Sequence, residues 1–508
     1  MRRIQVYRWG LPTLLFLIPA LPIAAQSFRV QCPTTTPLHP TPQTTDPNPA
    51  GGSIKCQQIS GGDGYATMAD GTQTYLFSFG PLSGLADIVN GLPGTQPASV
   101  FNTVFSGVGV GDPTPSTTFN GAVGLVADPD SVPANQLTGH VDPRQIMDVG
   151  VMNGNMPAPL MAFDEDDEFF LTLTNVGMIM RPDLFEQHTV HFHGYPNASS
   201  FYDGVPDASV AINIGGSFTY YYLAPDAGTY FWHCHITPPE HLQMGMVGQL
   251  YVRPRQNRVS GNLYDGLVAQ QADPRTACYP YGDTLHQNPD ILCSSPLPAS
   301  KGLATGGAKY AYNDGDGTTG YDVEYPIQIH GFDPSFHFVG MTFNPEQFTD
   351  MKDKFFLLNG RSYPDTVTPG AMQTQSADGA SHFSQPLPTI INIPARGRAL
   401  LRISDLDVTE YQTLASLGIP MHVIGINARL LRDLAGNDMT YYSNSITLAG
   451  GESIDVILDS CSQRGPAPGY ACVTPIPKGT YYLYTPNLDH LSNDAENFGG
   501  LMTEVHIN

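Results

Sequence analysis

The sequence predicts an all-β protein built of two Greek-key β-sandwich domains. Three observations predict it. Gly 52 and Pro 45 stand beside only 14% charged residues, the balance of a turn-rich β protein rather than a helical one. The segments 168–176, 217–223, 228–235 and 248–252 alternate apolar and polar residues or are rich in aromatic and β-branched types, with turn residues between them. Few segments show helical periodicity, and 405–414 reads equally as a loop or a strand.

Taken in order, residues 1–25 read as a secretory signal. Arg2, Arg3 and Arg8 precede an apolar run at 11–20, and cleavage is expected after Ala25. The run is short for a membrane span, so a secreted, periplasmic or cell-surface location is expected. Residues 26–56, rich in Pro, Thr and Gln, form an extended arm. A first β domain covers 57–255, with a turn and a strand at 66–79 and a long loop-like insertion at 82–145. Residues 256–308 are a polar linker, and a second β-rich domain spans 309–508. The formal charge of −23 excludes nucleic acid and anionic membranes as partners and draws cations, although acidity also serves solubility alone.

The chemistry is concentrated at 230–246. His233, Cys234 and His235 are consecutive, His241 follows, and Met246 lies five residues beyond it. A thiolate, an imidazole and a thioether are three of the four ligands of a blue-copper site, and His188 can supply the second imidazole. Neighbouring residues on a strand point to opposite faces. If 230–235 is a strand, Cys234 faces one way, while His233 and His235 face the other. His191 and His193 share a face, and His188 takes the opposite one. Two sites follow: His188, Cys234, His241 and Met246 on one side, and His191, His193, His233 and His235 on the other. Cys234 is bonded through the backbone to two histidines of the second site, a short route for an electron. Zinc is the competing metal, but one thiolate among many imidazoles suits copper better.

Seven cysteines fit export. With Cys234 set aside, the others fall in near pairs, Cys32 with Cys56, Cys278 with Cys293 and Cys461 with Cys472. Local disulfides are the natural reading, though spacing leaves the connectivity open.

The stretch from His188 to Met246 resembles the copper domain of the multicopper oxidases, the laccase family. That family typically carries His-Pro-x-His-x-His-Gly, then His-Cys-His, then a His and a Met or Leu. One departure is the seven-residue step from Cys234 to His241, with Pro238 and Pro239 as a two-residue insertion in the ligand loop. The resemblance implies that both sandwiches are cupredoxin-like. Segments 354–366, 420–432 and 450–459 are similar to the family's middle, copper-free domain. Where a copper domain would carry His-Cys-His, residues 480–493 have no Cys, and His422 stands alone. His140, His330, His337, His382 and His490 are scattered and lack paired spacing.

The family's cluster takes its histidines from two copper domains, and this chain supplies one set. The resemblance therefore implies a cluster completed by another subunit or partner chain, with copper as cofactor and oxygen as acceptor. Residues 203–207 resemble a loop near that cluster, where Asp203 would assist proton delivery; a structural Asp-Gly turn is the alternative. Three functions remain open. The first is an oxidase taking single electrons from a phenol, an aromatic amine or a metal ion. The second is a one-copper electron carrier, and the third is a structural or assembly protein with a vestigial cluster.

Overall fold

Runs such as 168–177 place every second apolar side chain on one face, and burial of those faces against each other builds the first domain. Its strands are β1 (Ile54–Thr67), β2 (Gln73–Pro81), β3 (Met161–Asp164), β4 (Glu168–Gly177), β5 (His191–Phe192), β6 (Ser217–Leu223), β7 (Gly228–His233) and β8 (Val247–Arg253). The computed structural model describes residues 28–42, 52–105, 118–194, 199–224, 226–258, 264–265, 308–340, 347–466 and 470–508. One sheet runs β2-β1-β4-β6 and the other β3-β8-β7-β5. Strands β1 and β4 are parallel, as are β3 and β8; the other neighbours in these two sheets are antiparallel. Phe77, Phe79, Phe169, Leu171, Leu173, Trp232 and Leu250 fill the space between the sheets, all fully buried.

The second domain is also a two-sheet sandwich. One sheet contains Val323–Phe332, Phe355–Leu358, Arg398–Asp405, Met421–Ile426 and Glu452–Asp459. The other contains Ile391–Ile393, Gln412–Leu417, Ser445–Leu448, Gly479–Tyr484 and Met502–Ile507. Its core is aliphatic, with Ile327, Ile329, Leu401, Ile403, Val423, Val456 and Val505 fully buried. Residues 405–414 divide into the end of one strand, a loop, and the start of the next.

The second domain covers the outer face of β7 and β8. Gln249, Tyr251 and Arg253, spaced by two on β8, all face it. Gln249 Nε2 donates to the Arg402 carbonyl at 2.9 Å and to Ser404 Oγ at 2.9 Å. Arg253 pairs with Glu324 at 2.6 Å. The buried Arg402 guanidinium lies 4.7 Å over the Tyr251 ring and pairs with Glu324 at 3.1 Å. Thr229 Oγ1 on β7 donates to Asp455 Oδ1 at 2.5 Å.

The insertion differs from the loop-like expectation. It contains the short helices Leu85–Val89 and Ala98–Phe101, and Pro143–Gly150 follows at its end with Asp142 as N-cap. Leu85, Phe101, Val123, Leu125 and Ile146 bury with Phe28 and Val30 of the N-terminal arm, forming a separate apolar cluster. The Gly, Pro and Thr content hides this, because few apolar residues carry the packing. The arm is bonded to β1 through Cys32–Cys56, and Cys461 is bonded to Cys472. The Cys278–Cys293 pair lies outside the described residues. No helix among the described residues is long and apolar enough to cross a membrane.

Candidate copper centres

Strand β7 ends at His233, so Cys234 and His235 lie just past it, where the chain turns toward the short helix Pro238–Gln243. The β5–β7 pairing sets His191 directly opposite His233. Because both residues are in register, their side chains share a face. Cys234 points the other way, into the sandwich, and is fully buried with Met246 in the apolar core. Its N–H donates to the Met246 carbonyl at 3.1 Å, which ties the two ends of the ligand loop together.

His188, Cys234 and His241 bring one donor atom each within 4.8 Å of one another, and all three are buried. His241 Nδ1 is 3.2 Å from Cys234 Sγ, and the Thr189 N–H donates to the same sulfur at 3.5 Å. Neither ring nitrogen of His188 has a hydrogen-bond partner of ordinary geometry among the described residues. A buried imidazole without a partner is costly, and ligation of a cation removes that cost. Burial works to raise the Cys234 thiol, but the His241 and His188 imidazoles outweigh it and pull the group well below the usual thiol range. Burial likewise opposes charge on His241, yet the Cys234 sulfur beside it raises that ring to about 10. The pocket is thus built for a thiolate balanced by positive charge. Sulfur and two imidazoles, with Met246 buried in the same core, fit copper by donor chemistry.

On the outer face, His191, His193 and His233 bring their donor atoms within 4.8 Å of one another. His191 Nδ1 donates to the Asp203 carbonyl at 2.6 Å, and His233 Nδ1 donates to the Cys234 carbonyl at 2.7 Å. Each bond settles the tautomer and leaves the Nε2 lone pair facing its neighbours. His193 Nε2 and His233 Nε2 are 3.0 Å apart. Burial lowers His193 to about 4 and His233 to about 3, so both are neutral and able to bind metal near neutral pH. The donor chemistry fits a histidine-held copper centre. His235 lies beside this triad. Its ring lies 5.0 Å from that of His191 and 5.7 Å from that of His233, and its N–H is held by Thr189 Oγ1 at 2.9 Å.

Asp203 also lies beside His191, with Oδ2 3.6 Å from Nδ1. The turn that brings it there requires Gly204, at φ +81°, because a Cβ would sit 2.0 Å from the Val190 carbonyl oxygen.

Several contributors escape sequence reasoning. Glu186 Oε2 is 3.7 Å from His241 Nε2, and its carboxylate is partly exposed. Gly61 leaves the room that the His188 ring occupies. Glu186 and Thr189 flank His188 in the motif, but nothing in the motif states their roles.

The scattered histidines are engaged elsewhere. His422 Nε2 meets Thr440 Oγ1 at 2.8 Å and its ring stacks on Tyr442. His490 meets Gln412 and Glu410, each at 2.9 Å. His140 lies 2.6 Å from Arg29, and His382 lies 3.6 Å from Asp378. The only two such donor clusters among the described residues are on the first domain.

A β-sandwich that buries a thiol between two imidazoles offers the donor set of a cupredoxin-type copper site. Residues 136–257, which hold both clusters, match the family model of multicopper oxidases. The multicopper oxidase MCE of Talaromyces pinophilus is 35% identical over 112 residues, 22% of this chain and 17% of its own length. Laccase-1 of Emericella nidulans is 36% identical over 107 residues, 20% of this chain and 15% of its own. The blue copper oxidase of Nitrosomonas europaea aligns with a TM-score of 0.49 at 16% identity, over 90% of this chain and 86% of that one. The likeness to multicopper oxidases thus lies in the domain that holds both donor clusters. The chain spans about a sixth of the length of the curated relatives it matches.

Proposed function

We propose that this chain is an exported multicopper oxidase that takes single electrons from a small phenol, aromatic amine or reduced metal ion and delivers them to oxygen. His188, Cys234, His241 and Met246 would hold the electron-accepting copper, and His191, His193, His233 and His235 the oxygen-facing one. Bound at these places, copper supplies a one-electron couple and a site where oxygen is reduced to water. The observation that carries the reading is the single strand end that joins both clusters. Cys234 belongs to the buried set, and its carbonyl accepts from His233 of the outer set at 2.7 Å.

The remaining chemistry belongs to the protein. The Glu186 carboxylate faces the outer nitrogen of His241 at 3.7 Å and reaches solvent. It would bind the N–H, O–H or charge of a donor against the imidazole edge. The buried loop excludes water from Cys234 and so protects the thiolate. Asp203 orients His191 through its carbonyl and would pass protons through its carboxylate.

The outer set is incomplete for a larger cluster, since the second domain offers no further cluster among the described residues. Strand β5 is the edge of its sheet, so histidines from a second copy or another chain can approach His191 and His193. A one-copper electron carrier is the second reading, favoured by the same shortage of histidines. Copper per chain, native mass and oxygen uptake on a phenolic donor, measured on one preparation, separate them. Two or more coppers with oxygen uptake are expected, and one copper with no uptake would establish the carrier.

A further inference from the structure

Two histidines outside any metal motif, His330 and His337, belong to the second domain but end on the loop that carries His241 and Met246. His330 Nε2 donates to the Leu242 carbonyl at 2.8 Å. His337, on the helix Pro334–Gly340, has Nε2 3.0 Å from the Gln243 carbonyl and Nδ1 2.6 Å from the Tyr75 carbonyl of β2. Burial lowers this ring to about 3, so it is neutral, donates to one of these carbonyls and packs against the other. Asp353 Oδ1 accepts from Gln243 Nε2 at 2.8 Å. All of these side chains are buried.

Leu242 and Gln243 close the helix Pro238–Gln243, where carbonyls run out of helical partners; that of Leu242 accepts locally from the Gly245 N–H at 3.0 Å. The second domain adds His330 as a donor to the Leu242 carbonyl and sets His337 against that of Gln243. The chain then passes through Gly245, at φ +112°, to Met246. On the first-domain side the same stretch is held by Ser78 Oγ, which donates to the Gly245 carbonyl at 2.5 Å. Phe336, from the helix that carries His337, buries in the same core as Cys234 and Met246. The segment between two proposed ligands is therefore clamped from both sides.

We infer that the copper-free domain serves as the outer half of the copper loop's scaffold, with His330, His337 and Asp353 as positioning residues for His241 and Met246. The inference rests on the ligand assignment proposed above, but its geometric part is testable without metal. His330→Ala and His337→Ala, with His337→Gln as the conservative variant, are compared with Thr229→Val, which breaks an interdomain bond away from this loop. Amide hydrogen exchange at 241–246 in metal-free protein should rise in the alanine variants, recover in the glutamine variant and stay unchanged in Thr229→Val. In copper-loaded protein the alanine variants should shift the thiolate-to-copper absorption and reduction potential. They should also hold copper about 10–100-fold more weakly. Unchanged exchange, or unchanged absorption, potential and retention in protein whose parent shows the band, overturns the inference. Raised exchange in a protein whose parent shows no band leaves the clamp standing and refutes the ligand assignment instead.

Discussion

Gly61→Ala tests the pocket without touching a ligand. Gly61 lies on β1 outside the left-handed region, and a Cβ built there falls 2.7 Å from His188 Cδ2 and 3.2 Å from its Cγ. Ordinary carbon contacts are about 3.5–4.0 Å, so the imidazole must retreat by about 1 Å. Overpacking of this kind costs roughly 1–3 kcal/mol. The reduced freedom of the unfolded chain returns about 0.4–1 kcal/mol, so net destabilisation is expected. It would lower the melting temperature by about 2–4 °C per kcal/mol in a domain of this size. Metal ligation tolerates about 0.2 Å, so the effect on copper should exceed the effect on stability. The assay pairs thermal melting of metal-free protein with visible absorption and copper content after loading. Gly479→Ala is the control, because its Cβ would meet only Tyr481 Cε2, at 4.0 Å. It should be neutral or slightly stabilising. A Gly61→Ala protein with parental melting, absorption and copper content would refute the placement of His188.

Cys234→Ser should abolish the intense thiolate-to-copper absorption while leaving the fold intact by circular dichroism; a retained band would exclude Cys234 as the ligand. His191→Ala with His193→Ala should remove the copper beyond the first and stop oxygen uptake, while the thiolate band persists; undiminished uptake would end the catalytic role of these imidazoles. Burial, with Asp407 adding to it, raises the Asp353 carboxyl from 3.8 to about 8. A group with a raised folded pKa stabilises fully below its unfolded value and loses that contribution as pH climbs toward the folded one. The melting temperature of the metal-free protein should therefore carry a decline between about pH 4 and 8 that Asp353→Asn flattens; identical profiles would show that this carboxyl is not the source.

Much of the site was legible because it rests on local rules. Alternation along a strand separates Cys234 from His233 by geometry alone, and the structure places the first inside the sandwich and the second outside. The same rule reads the strands of both domains from apolar periodicity. The strand itself ends at His233, yet the His235 ring still lies 5.0 Å from that of His191. The rule missed the packing of 82–145, where a few apolar residues among Gly, Pro and Thr bury against an arm more than fifty positions upstream of most of them.

What only the tertiary structure decided are contacts between residues far apart in the chain. His330 and His337 carry no metal spacing, and their partners lie 88 and 94 residues away in the ligand loop. Gly61 is one glycine among 52 until the His188 ring is found where its side chain would be. Donor types and their faces are properties of a local segment. The room left for an imidazole and the donors that hold a loop are properties of packed surfaces, which form only when both domains close on the same strands.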